Sequence, residues 1–256
     1  MRSLDKLKGK SVAKIEVKPE PVEVKKVNGD ALCTELVESI DSHLAKRNGV
    51  ELKRVEGFHP SYTNQCGRYW VYLFRGVSAN VDFASQTYRI FDNGHAVHDR
   101  LYSYLSGMGI LTEEEIPVES EDPPIRGTAD GIINFHGKQL IELKSISDVG
   151  FSYRKIYNKP KDDHYRQAQI YMRCLNLDSG FVIYENKNNQ EILPLYMERD
   201  DEFIDKLYKK YRKIYKNFID GDVLPGRPYK SIASKQCSWC NVKEFCWKDE
   251  DGGKRI

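Results

Sequence analysis

The chain has 256 residues, 40% of them hydrophobic and 30% charged, with a net charge of +2. That length suits one domain with additions, and the near-neutral balance excludes a bulk polycation, so any nucleic-acid surface must come from local clustering of Lys and Arg. No apolar run is long enough to span a bilayer and Met1–Lys10 lacks the apolar stretch of a signal peptide, so a soluble, cytoplasmic protein with no membrane partner is expected.

Residues 1–28 are rich in Lys, Glu, Val and Pro, and Pro19 and Pro21 break any helix there. A flexible N-terminal tail is expected, with one domain over 29–256. From Asp30 to Lys46 the stripe Leu32, Leu36, Ile40 and Leu44 predicts a helix. Residues 57–75 carry His59, Pro60, Cys66 and Arg68 and then the aromatic run Tyr69, Trp70, Tyr72 and Phe74. A helix beginning near Asn93 contains Val97, Leu101, Tyr104 and Leu105 and stops at Gly107–Gly109. Residues 131–135 and 139–143 flank His136-Gly137-Lys138 and read as a hairpin. A helix over 162–175, capped by Asp162 or Asp163, follows. A second hairpin pairs 181–184 with 192–196. A long helix over 201–219 carries Phe203, Ile204, Leu207, Tyr211, Ile214 and Phe218 at helical spacing, with Gly221 as its stop. Helices, then a sheet interleaved with helices, then a cysteine-bearing tail define an α/β or α+β class.

The chemistry concentrates in Gly127-Thr128-Ala129-Asp130 and Ile141-Glu142-Leu143-Lys144. Glu142 and Lys144 are two apart on a strand and face the same way, and Asp130, expected at the close of the preceding strand, reaches the same point. Two carboxylates in one place repel unless a cation lies between them. Oxygen ligands with open positions suit Mg²⁺ or Mn²⁺, which would polarise a phosphodiester, while Lys144 would orient or help deprotonate a water. The plain alternative is a surface salt bridge on a hairpin. His98 or His95 offers a nitrogen ligand from the preceding helix, and spacing alone does not choose between them. Gln167 and Tyr171 are four apart and share one helical face.

In order along the chain, Gly94-x-x-x-His98, Gly127-x-x-Asp130, Glu142-Leu143-Lys144 and Gln167-x-x-x-Tyr171 resemble the PD-(D/E)xK nuclease superfamily. Within it they are most similar to the RecB-like exonucleases, which include the CRISPR-associated ones and the AddB nuclease domain. The resemblance implies a mixed four-stranded core sheet flanked by helices. It implies His98, Asp130, Glu142 and the Leu143 carbonyl as metal ligands, favouring His98 over His95. Lys144 would be the catalytic lysine, with Gln167 and Tyr171 in a supporting motif.

The chain holds six cysteines, not spread as a disulfide framework. Cys237, Cys240 and Cys246 form C-x₂-C-x₅-C and need a fourth ligand, for which Cys66 is the first candidate and Cys33 the alternative. Zinc and an iron–sulfur cluster both accept four cysteines. One cysteine before the nuclease core and three after it is the arrangement of the cluster-bearing RecB-like nucleases, which favours 4Fe–4S over structural Zn²⁺. Residues 57–75 and 230–248 would then form the cluster-binding part. Cys33 and Cys174 are otherwise expected to be buried thiols.

Tyr153, Arg154, Lys155, Tyr157, Lys159 and Lys161 place cations and rings together in an expected loop between the Glu142 strand and the Gln167 helix. Such a mixture suits a single-strand groove. Arg68 is a further candidate for a phosphate contact, or a support for the cysteine loop. The expected activity is a Mg²⁺- or Mn²⁺-dependent exonuclease acting on single-stranded DNA or DNA ends, with a protein partner or a homo-oligomer left open. The alternatives are a structure-specific or single-strand endonuclease of the same fold, a noncatalytic DNA-binding subunit, and a zinc-stabilised interaction protein in which Glu-x-Lys is fortuitous.

Overall fold

The computed structural model describes residues 28–49, 54–62, 66–77 and 82–249. Apart from Asn28, the tail expected over 1–28 lies outside them. The chain divides into two units, Met1–Asp41 and Ser42–Ile256. Helix α1 (Gly29–Ala45) begins in the first, and its Leu32, Leu36, Val37 and Ile40 side chains are exposed. Cys33, expected to be buried, is exposed as well, because α1 buries no residue. No described helix is long and apolar enough to cross a membrane.

The second unit is a mixed α/β structure built on a five-stranded sheet in the order β1-β2-β3-β4-β5, one strand more than the resemblance implied. The strands are β1 (Leu111–Glu121), β2 (Pro124–Asn134), β3 (Lys138–Ile146), β4 (Ser179–Asn186) and β5 (Ile192–Glu198). All neighbours are antiparallel except β3 and β4, which run parallel. A parallel pair needs a long crossover, and helices α4 (Asp148–Tyr157) and α5 (Asp162–Cys174) supply it.

Helix α4 occupies the segment expected as a loop. Ser147 caps it, its Oγ accepting from Gly150 N at 3.4 Å, and Asn158 ends it in the left-handed region at φ 47°. Helix α5 starts at Asp162 as expected, but its N-cap is Lys161, ahead of both expected caps, and makes no side-chain capping bond. Asp162 and Asp163 sit in its first turn, where negative charge complements the helix dipole.

Along β3 the side chains alternate between two cores. Leu140 packs in the cluster with Ala168, Tyr171 and Met172 of α5. Ile141 and Leu143 pack on the other face with Val97, Leu101 and Tyr102 of helix α3 (Ser85–Gly107). Period-two geometry therefore sends Glu142 and Lys144 to the α5 face.

A third, aromatic cluster joins helix α2 (Gly67–Phe74) to helix α6 (Asp201–Ile214). The expected long helix changes character here, since α6 runs into a π turn over Tyr215–Ile219. Phe58 sits at the centre of this cluster, stacked on Tyr211 at 4.3 Å and edge-on to Trp70 at 5.0 Å and Phe74 at 5.3 Å. Its backbone also extends the sheet: Phe58 N donates to Pro124 O at 2.8 Å and Arg126 N to Phe58 O at 3.2 Å. Phe58→Ala is therefore expected to lower the unfolding free energy by about 3–5 kcal/mol, read as a fall in the urea midpoint.

Candidate active site

The strands β2 and β3 pair only from Asn134–Lys138 to Gly131–Ile141. Beyond that pair β2 continues against β1, and β3 against β4. The two strands thus part, and Asp130, Glu142, Leu143 and Lys144 lie at the fork. Asp130 stands within β2 and not at its close as expected, because the residues after it, Gly131–Asn134, pair on with β3.

In the fork the Leu143 backbone has no β2 partner, and buried peptide groups must find one. Leu143 N donates to Asp130 Oδ2 at 2.6 Å. The Leu143 carbonyl faces His98 Nε2 at 3.1 Å. A carbonyl only accepts, so the Nε2 carries a proton, and Nδ1 lies 4.0 Å from Asp130 Oδ1. His95, on the same helix, is exposed.

Glu142 is fully buried, and Lys144 Nζ donates to its Oε1. Its Oε2 is buried without a hydrogen-bond partner. Burial pushes the Glu142 carboxyl up, the Lys144 ammonium pulls it down, and the Asp130 charge pushes it up again, with a net rise. Burial pulls Lys144 down, but Glu142 and then Asp130 outweigh it and hold the ammonium above its ordinary value. Lys144 is therefore a cation and a donor here, with Asp130 Oδ2 at 4.0 Å.

Tyr171 and Gln167 complete the α5 wall, with Gln167 Nε2 donating to Tyr171 Oη at 3.4 Å. A Cβ on Gly127 would lie 3.0 Å from Pro60 Cδ and 3.2 Å from Tyr171 Oη. Gly127 thus admits the tyrosine against β2, three residues ahead of Asp130. Gly131 serves a second close approach, since its Cβ would meet Glu113 O at 2.7 Å.

Several residues at the site carry no motif. Tyr102 Oη lies 2.7 Å from Asp130 O and 3.1 Å from Glu115 Oε1. Tyr102 is four residues after His98, so helical spacing could have flagged it. Glu115 sits at φ 49° in β1, a consequence of pairing that no sequence pattern announces. His164 is three residues before Gln167 on the same face, and its Nδ1 lies 2.9 Å from Tyr184 Oη.

As the side chains lie, no three His, Cys, Asp or Glu among the described residues are gathered closely enough to hold an ion. Glu142 is turned onto Lys144, Asp130 onto Leu143 N, and the Leu143 carbonyl onto His98. The donor set nevertheless fits a hard divalent cation: two carboxylates, one with an orphan buried oxygen, and an imidazole nitrogen. Closing on a cation requires these side chains to turn toward it.

Cys66, Cys237, Cys240 and Cys246 line one cavity of about 30 Å³ with Tyr69, Arg227 and Trp247. Burial pushes the Cys66 thiol up, partly opposed by the Tyr69 backbone N–H. Burial likewise pushes Cys240 up to about 11, with further push from Cys66, Cys237 and Cys246. As they lie these thiols too are not gathered closely enough to hold an ion, but soft donors that repel one another as thiolates suit a metal or cluster that would stabilise the anions. Cys174 is part-buried elsewhere, its Sγ 3.4 Å from Tyr208 Oη.

Arg68 belongs to this region and is removed from any phosphate contact by burial, at 1% exposure. It donates to Pro225 O at 2.7 Å and to Cys246 O at 3.3 Å. Arg227 Nε donates to the same Cys246 carbonyl at 3.0 Å. The remaining cations lie on or after α4. Arg154 lies 4.5 Å over the Tyr153 ring, whose centroid is 4.3 Å from that of Tyr157. Lys155 pairs with Glu191, Lys161 pairs with Asp163 at 2.7 Å, and Lys159 is exposed.

No protein-family profile matches the chain, and no curated protein matches it. Solved structures do. The alkaline exonuclease from Laribacter hongkongensis aligns over 72% of this chain and 93% of its own, at 14% identity and a TM-score of 0.51. The fold is shared with an exonuclease. SSO0001 aligns over 84% and 95% at 21% identity and a TM-score of 0.49, and a phage-related exonuclease from Haemophilus somnus over 50% and 73% at 18% and 0.33. These two likenesses are too weak to bear on the fold.

The raised Glu142 carboxyl has a signed consequence. A carboxyl raised by burial stabilises the folded state while protonated and loses that contribution as pH rises from the ordinary carboxylate range through its folded value. Without divalent cations, the wild type is expected to lose stability relative to Glu142→Gln as pH rises. Mg²⁺ or Mn²⁺ should flatten the difference. Melting temperatures of both proteins across pH, with EDTA or with metal, measure it.

Proposed function

We propose that the chain is a Mg²⁺- or Mn²⁺-dependent DNA exonuclease of the RecB-like PD-(D/E)xK type, acting on single strands or ends. The observation that carries this reading is the fork between β2 and β3, which turns Asp130, Glu142 and Lys144 to one point. Asp130, Glu142 and His98 Nδ1 would hold the cation, with the Leu143 carbonyl available once the imidazole turns. The bound cation would polarise the phosphodiester and offset its charge. Lys144, held as an ammonium, would orient a water and donate to a phosphate oxygen. Tyr171 and Gln167 would hold β2 and Asp130 in place through Gly127. Tyr153, Arg154, Tyr157 and Lys159 would guide the strand, with rings for bases and cations for phosphates.

The reading includes a structural 4Fe–4S cluster on Cys66, Cys237, Cys240 and Cys246, with zinc as its alternative. It would join the start of α2 to the C-terminal helices, where Arg68 and Arg227 already fix the Cys246 carbonyl.

The test is digestion of end-labelled linear and circular single-stranded DNA by anaerobically purified protein, beside Asp130→Ala and Lys144→Ala. Cutting of the linear form alone is expected, with each substitution lowering the rate by at least about a hundredfold. Cutting of circles would favour an endonuclease, and no cutting by folded wild type would refute the enzymatic reading. The same preparation should be brown, and Cys237→Ser should remove the colour and lower the melting temperature. A colourless protein containing zinc would replace the cluster with zinc.

A further inference from the structure

His164 lies on α5 in line with Gln167 and Tyr171, at positions i, i+3 and i+7 of one helical face. Tyr171 faces the Asp130–Glu142 end of the site. His164 is two turns nearer the helix start, within electrostatic reach of Lys144.

Its proton arrangement is fixed by its neighbour. Lys161 N donates to Tyr184 Oη at 2.9 Å, and His164 Nδ1 lies 2.9 Å from the same oxygen. Tyr184 is fully buried. A buried hydroxyl must place its proton on an acceptor, and among the described residues the acceptor at hand is His164 Nδ1. The imidazole therefore carries its hydrogen on Nε2. Burial and then the Lys144 charge hold it well below the ordinary histidine range, at about 3, with Lys161 and Arg154 acting the same way and Asp163 opposing. The nearest carboxylate to Nε2, Asp163 Oδ1, stands at 3.8 Å, beyond hydrogen-bond distance. The ring is part-exposed. The result is an oriented neutral N–H donor with no hydrogen-bond acceptor among the described residues, on the wall that carries Gln167 and Tyr171.

We propose that His164 is a substrate-binding residue whose Nε2–H hydrogen-bonds a non-bridging oxygen of a phosphodiester strand lying at the fork. This rests on the nuclease reading above and adds a contact outside its motif residues. A neutral donor suits the position. An imidazolium would add a further positive charge beside Lys144, Lys161 and Arg154, whereas an N–H pinned by Tyr184 keeps its direction and adds no charge.

The test uses ¹⁵N-histidine-labelled full-length protein, with His164 assigned through His164→Gln and titrated with short oligothymidylate in EDTA. The Nε2–H tautomer is expected throughout about pH 6–8, with its signal moving as the oligonucleotide binds. In the DNA digestion, His164→Ala is expected to raise KM about tenfold or more at little change in kcat. His164→Gln, which keeps an N–H donor, should recover most of the loss. Tyr184→Phe should release the tautomer without removing the ring.

A charged or Nδ1-protonated His164 in that range overturns the proposal. So does a signal that bound oligonucleotide leaves unmoved, or an unchanged KM in a folded His164→Ala that still cuts. Wild type that neither binds nor cuts overturns the nuclease reading, and this contact with it; cutting with an indifferent His164 overturns this contact alone.

Discussion

The site depends on the place where β2 and β3 stop pairing. At Gly131–Ile141 the ladder ends, and the next residues of each strand turn to different neighbours. Leu143 is left with a peptide N–H and C=O that no strand can satisfy. Asp130 takes the first and His98 takes the second. A backbone requirement thus recruits the groups that metal chemistry would use, and it holds them within reach of Glu142 and Lys144.

Two other features make that fork stiff. The α5 face is locked against β2 by the missing side chain of Gly127, where Tyr171 and Pro60 fill the space. Behind it, the aromatic cluster around Phe58 joins α2, α6 and the beginning of β2. On the far side of that cluster Arg68 is buried between the Pro225 and Cys246 carbonyls. An arginine placed there is a clasp: removing it would leave the Pro225 carbonyl without this donor and the Cys246 carbonyl held by Arg227 alone.

Much of the frame was legible in the sequence because periodicity and spacing are local. The 131–143 hairpin, the α5 helix, the 181–196 hairpin and the placement of Gln167 over Tyr171 follow from alternation and helical repeat. Strand β1 was not legible, because Glu113-Glu114-Glu115 and Pro117 do not read as a strand. As an edge strand it tolerates both. Helix α4 read as a loop because its outward face is mixed: Val149, Tyr153, Ile156 and Tyr157 are exposed among cations. The glycines beside Asp130 serve close approach within a strand, which no local pattern announces. Arg68 read as a phosphate contact or a support for the cysteine loop, and only tertiary contacts reveal that it is buried against the Cys246 carbonyl. Tyr102, Glu115 and His164 matter through partners far away in sequence.

The account stands on the fork being a cation site. Its most direct measurement is Mn²⁺ binding to the metal-free full-length protein by electron paramagnetic resonance, beside Asp130→Asn. Saturable binding by the wild type, lost in a variant that melts as the wild type does, is the predicted result. Absence of binding in the folded wild type, or equal binding by the variant, would contradict it.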